Sequence, residues 1–128
     1  MSHIATYTTT MTSLKTIEEA CVRLGLTFLR NQKTAQFYQG QHAACVHAIG
    51  IPGSSYQVGL VRNADKTYTF LMDTYDATLR NTMGPNGQRF LQHYAAAGAI
   101  AEVKQHRRMH ITETALKNGN IRLQFVAR

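Results

Sequence analysis

At 128 residues, 44% of them apolar, the chain is long enough for one domain around a single core, and its apolar residues are spread too evenly for disorder. Two cysteines are too few for a disulfide scaffold, and no run of about 18 apolar residues exists to span a membrane. Fourteen Lys and Arg against seven Asp and Glu leave a net charge of +7 and a pI near 9.8, a balance that invites anionic partners such as nucleic acid or an acidic protein face.

Residues 2–11 are rich in Thr, with Ile4 and Tyr7, and read as a strand. Thr12 and Ser13 then offer a helix N-cap. Leu14, Ile17, Cys21 and Leu24 follow at spacings of three and four, the apolar stripe of a helix that Gly25 ends in a left-handed conformation. Residues 26–73 read as an antiparallel meander. Its pieces are short apolar runs at 26–30 and 35–39, a longer run at 42–51, and the turn Pro52-Gly53-Ser54. Tyr56, Val58 and Leu60 alternate on one face, and Tyr68, Phe70 and Met72 repeat the alternation after a loop at 63–66. Gly84-Pro85-Asn86-Gly87 breaks the pattern, and Asn86 is expected to cap a second helix that runs to about His106 with Phe90, Tyr94, Ala97 and Ala101 inward.

The chain closes on a hairpin, 109–116 and 121–127, signalled by Asn118-Gly119. Two registers are open. A two-residue turn puts Ile111 opposite Val126, whereas a three-residue loop with a bulge puts it on the Leu123 face. This order of elements predicts a single α+β domain over 1–128, an antiparallel sheet with two helices packed on one face. The arrangement is ferredoxin-like or an elaborated two-layer sandwich.

Candidate chemistry is sparse. His42, Cys45 and His47 lie close in sequence, and Cys45 and His47 share a face if their segment is a strand, but no CxxC or HxxxH pair accompanies them; no metal and no cofactor are expected. Asp73 and Asp76 are the close acidic pair outside the first helix, with Tyr75 between them at a strand end. General acid–base chemistry needs such a pair near a pocket, so Asp73, Tyr75 and Asp76 form a candidate functional turn, set against a plain strand-ending turn. Lys104, Arg107, Arg108 and His110 form a candidate patch for nucleic acid or a protein partner; their simpler role is to offset the negative end of the second helix. Tyr56, Tyr68 and Phe70, with Arg62 and Lys66 at the edge, would stack single-stranded bases if exposed, but alternation with Val58, Leu60 and Met72 assigns them to the core. No phosphate-loop or nucleophile-elbow spacing is present.

Several fragments resemble a known family: Met1-Ser2-His3-Ile4, Tyr38-x-Gly40, Tyr56-x-x-Gly59, Tyr68 to Asp73, Phe90 with Tyr94, and the run from Lys117 to Leu123. Together they are similar to hypothetical chloroplast reading frame thirty-five, a domain of unknown function also found in cyanobacteria and phages. The resemblance implies a compact free-standing domain and places His3, Gly40, Tyr56, Gly59, Asp73 and Tyr94 in a shared structural plan. It transfers no catalytic residue. Relatives set an aromatic cluster after the acidic strand end, where this sequence keeps only Tyr75.

The reading that follows is a non-enzymatic binding or adaptor module for a larger protein assembly. RNA or single-stranded DNA binding is the alternative, and a small enzyme using Asp73 or Asp76 with a histidine the second. A free sheet edge could pair two copies as a homodimer. A reducing cytoplasm is the expected compartment (plastid stroma for an organellar gene, host cytoplasm for a phage gene).

Overall fold

In the computed structural model, which describes residues 4–105 and 109–127, the strands run in chain order as β1 (Ile4–Thr8), β2 (Thr27–Leu29), β3 (Thr34–Gln36), β4 (His42–Ala44), β5 (His47–Gly50), β6 (Gln57–Arg62), β7 (Tyr68–Asp73), β8 (Met109–Ala115) and β9 (Ile121–Ala127). The helices are α1 (Leu14–Leu24), α2 (Ala77–Met83) and α3 (Gln88–Lys104). His3, His106, Arg107 and Arg108 lie outside the described residues.

The signals at the ends of α1 act as expected. Ser13 is extended, and its Oγ accepts the Thr16 N–H at 3.1 Å; Gly25 closes the helix with φ 72°. Ile17, Ala20 and Cys21 are buried, with Leu14 and Leu24 at the margin of the same core. Burial pushes the Cys21 thiol up to about 12.

Five strands form one antiparallel sheet in the order β1-β7-β6-β5-β2. Strands β5, β6 and β7 are the predicted meander, with Leu60 opposite Phe70 and Ile49 opposite Val58. Strands β1 and β2 stand at opposite edges, so α1 crosses the sheet between them and the architecture is the elaborated two-layer sandwich. Tyr68, Phe70 and Met72 face the helices with Val58, Leu60 and Ile49, and all six are buried. Phe70 meets Phe90 of α3 edge to face at 5.5 Å.

Residues 34–44 depart from the expected meander. They leave the sheet as a separate ribbon, β3 paired with β4, and β2 pairs directly with β5. The ribbon covers the other face of the sheet, where Ala35, Phe37, Cys45 and Ala48 are buried against Val61 and Leu71. Small residues permit the approach: a Cβ on Gly59 would lie 3.2 Å from the Ala35 Cβ and 3.4 Å from the Leu71 Cβ. The chain kinks between β4 and β5, so Cys45 sits in this second core while His47 faces the helices beside Phe28 and Tyr68. The shared face expected for Cys45 and His47 is therefore not formed.

Two further differences concern the helices. The two-turn helix α2 is additional to the expected pair; its residues 77–83 carry only Leu79 and Met83 inward, too short a stripe to announce a helix. Asn86 does not cap α3. It takes φ 55° in a 3-10 turn, and the N-cap is Gly87 with φ 76°. Gly87 is required there because a Cβ would fall 2.7 Å from the Phe70 ring.

The hairpin takes the three-residue register. Leu116 N–H donates to the Asn120 carbonyl, Gly119 has φ 86°, and Ile111 lies opposite Phe125 on the face that carries Leu123. That face leans on α3. Gln92 Nε2 donates to Asn120 Oδ1 at 2.6 Å. Arg23 of α1 grips Glu113 with Nη1 to Oε1 at 2.9 Å and Nη2 to Oε2, while its Nε donates to His93 Nδ1 at 3.2 Å. The guanidinium holds the Glu113 carboxyl below its usual range.

Two measurements check this packing. Gly87→Ala must move Phe70 or the helix start and should cost about 3 kcal/mol in urea unfolding. His47 accepts the Asn31 N–H on Nδ1 at 2.8 Å, and burial, then Arg30 and Lys33, lower its pKa. The folded state thus prefers neutral His47, so its contribution is complete above the unfolded value of about 6.5 and is lost as pH falls below it. His47→Gln keeps an acceptor without titrating and should lose less stability than the native chain between pH 7 and pH 5.

Candidate functional site

The acidic turn lies where β7 ends. Alternation along β7 turns Asp73 away from the helices, onto the face covered by the ribbon, and its side chain is fully buried. Asp73 Oδ2 accepts the Tyr38 N–H and Oδ1 accepts the Tyr75 N–H, both at 3.0 Å. The first bond reaches the 3-10 turn Tyr38–Gly40 that joins β3 to β4, so this carboxylate ties ribbon to sheet.

Asp76 has a different task. It is the N-cap of α2, with Oδ2 accepting the Leu79 N–H at 2.9 Å and the Ser54 hydroxyl at 2.8 Å. Ser54 Oγ in turn accepts the Tyr56 N–H at 3.0 Å, which fixes the entry to β6. Arg80 reaches back from α2, its Nη1 donating to the carbonyls of Thr74 at 2.7 Å and Tyr75 at 3.2 Å.

These bonds assemble an aromatic corner. The Tyr38 and Tyr75 rings meet edge to face at 4.6 Å. The Tyr56 hydroxyl is raised above its ordinary pKa first by burial, then by the Asp73 and Asp76 carboxylates, with Tyr38 and Tyr75 adding to the rise. Tyr38 and Tyr56 thus come to Tyr75 from other segments of the chain. On the helix side of Thr74 a pocket of about 500 Å³ opens between Tyr7, Leu79, Arg80, Met83 and Asn86. What the arrangement can do is hold. Both oxygens of Asp73 and one of Asp76 are engaged by backbone amides, while Tyr75 stands 48% exposed.

The other sequence-predicted residues fall elsewhere. Lys104 is the exposed last residue of α3, and His110 is exposed on β8 opposite Val126. Arg107 and Arg108 lie outside the described residues. Tyr68 and Phe70 are buried under the helices and Tyr56 is half-buried, so they belong to the core and not to a stacking platform. Among the described residues, no three His, Cys, Asp or Glu side chains cluster closely enough to hold a metal ion, and no helix is long and apolar enough to cross a membrane. Sequence reasoning missed Tyr38, Ser54 and Arg80 as members of the corner; the one available signal was the Tyr38-x-Gly40 fragment. Compared with known proteins, the chain matches no family model, no curated protein and no solved structure.

Asp73→Ala would leave the Tyr38 and Tyr75 amides without their carboxylate and should cost about 2–4 kcal/mol. Asp73→Asn keeps one acceptor oxygen and should cost less. Amide exchange at Tyr38 and Tyr75 should quicken in both, more in the alanine variant.

Proposed function

We propose that this protein is a non-enzymatic binding module that docks onto a larger protein assembly through the tyrosine corner. The observation that carries the proposal is the pair Tyr38 and Tyr75, locked edge to face by the Asp73 bonds while Tyr75 remains 48% exposed. A rigid, partly exposed aromatic pair buries much apolar area on contact and loses little side-chain freedom, which is why tyrosine is enriched at interface hot spots. The carboxylates beside it are taken up in holding backbone amides, a use that favours recognition over proton transfer. Membership of the chloroplast reading-frame family is part of the same proposal. Three of its resembling fragments, those containing Tyr38, Tyr56 and Asp73, meet at this corner.

The test is capture from the native host with the tagged native chain and with Tyr75→Ser, whose exposed site leaves the melting temperature within a few degrees. The native chain should recover a stoichiometric protein partner, and Tyr75→Ser should weaken that complex by about tenfold or more. Recovery of no stoichiometric protein, or equal capture by both chains, overturns the proposal. Recovery of RNA whose binding falls steeply with salt would favour the nucleic-acid reading instead.

A further inference from the structure

We propose that two copies of this chain pair antiparallel along β9, joining their hairpins into one four-stranded sheet with its two-fold axis at Gln124. Among the described residues β8 and β9 form a two-stranded sheet with no third strand. Strand β9 reads Ile-Arg-Leu-Gln-Phe-Val-Ala, seven residues without Pro or Gly and with Arg122 as its one charge, so it is thinly protected for a free edge. Phe125 is 41% and Val126 55% exposed, neighbours on the same strand. Arg23 of α1 grips Glu113 on β8, which leaves β9 as the edge away from α1.

The strand complements itself. The bond from Leu116 N–H to the Asn120 carbonyl sets the phase of the ladder, and alternation from there turns the amides of Ile121, Leu123 and Phe125 away from β8. Pairing about Gln124 sets Leu123 opposite Phe125 of the second copy, so the outward-turned amides meet as a hydrogen-bonded pair. The same register sets Arg122 opposite Val126, so no cation faces a cation although the chain carries +7. Beside this edge lies an open groove of about 700 Å³ between α3 and β9, floored by Ala95, Ala96 and Ala99 and walled by Ile121 and Leu123. Phe125 of the second copy, standing next to Leu123 on that face, fills it. This surface is separate from the tyrosine corner, and the inference does not depend on the docking role proposed there.

Sedimentation of the purified chain over a concentration series should show a monomer–dimer equilibrium. Phe125→Pro removes an outward amide and the groove-filling ring, and should raise the dissociation constant at least tenfold. Ile111→Pro makes the matching change on the β8 edge and should leave dimerisation in place. Gln124→Cys places two thiols across the axis, about 4.5 Å apart at Cα, and should form an intermolecular disulfide under mild oxidation, while Arg122→Cys should not. Native Cys21 and Cys45 are buried and do not compete. A chain that stays monomeric at every concentration overturns the proposal, including one whose β9 binds an extended peptide instead. So does a dimer indifferent to Phe125→Pro, or a Gln124→Cys chain that fails to cross-link.

Discussion

The carboxylate of Asp73 is the joint on which the far side of this molecule depends. A carboxyl group with no solvent exposure is tolerated only when donors replace its water, and the amides of Tyr38 and Tyr75 are among them here. One amide belongs to the ribbon and the other to the turn after β7. The ribbon of β3 and β4 rests on the sheet through Ala35, which sits over Gly59, and through the buried Phe37. The turn after β7 is fastened a second time by Arg80, which reaches the Thr74 and Tyr75 carbonyls from α2. Lifting the ribbon would therefore expose the second core, take the Tyr38 amide from the Asp73 carboxyl and part the tyrosine pair in one event. That coupling makes the aromatic corner rigid.

On the opposite side the organising element is α3. It packs on the sheet through Phe90 on one side, and on another it flanks the hairpin across the groove floored by Ala95, Ala96 and Ala99. An isolated two-stranded hairpin is marginal in water, so β8 and β9 need that support. The polar contacts along it, Arg23 to Glu113 and His93 and Gln92 to Asn120, set where the hairpin sits more than how strongly it is held, since they are partly solvated. Burial and the Arg23 and Arg89 cations lower the His93 pKa, with Glu113 opposing, which keeps Nδ1 free to accept from Arg23.

Local signals in the sequence were sufficient wherever one segment contains its own instruction. Ser13 and Gly25 bound α1, alternation at Tyr56, Val58 and Leu60 and at Tyr68, Phe70 and Met72 marked the two central strands, and Asn118-Gly119 marked the hairpin. Its register stayed open because Gly119 suits both loop lengths; only the Leu116–Asn120 bond decides between them. Features made by distant segments were not legible. Nothing near residue 35 says that it will sit on Gly59, and Asp73 reads as a strand-ending turn until the Tyr38 amide, 35 residues away in the chain, arrives at it. Helix α2 was hidden because Asp76 looked like chemistry when its side chain was a cap. The tyrosine corner is the clearest case, since positions 38, 56 and 75 share no period.

The layer order, ribbon then sheet then helices then hairpin, has a consequence for how the two proposed surfaces would act together. The tyrosine corner is built at the end of β7 from the ribbon turn and α2, and β9 belongs to the hairpin on α3, so the two surfaces share no residue. Pairing at β9 would use none of the corner's residues, so each copy would keep its own corner. Two weak sites on one body gain from effective concentration, and a millimolar local concentration turns two modest contacts into a stable attachment where the target repeats. A corner of one exposed aromatic pair is too small for a tight interface on its own, whose typical extent is about 800 Å² per partner. Self-pairing would therefore suit a chain whose single docking surface is small and whose target presents that surface more than once.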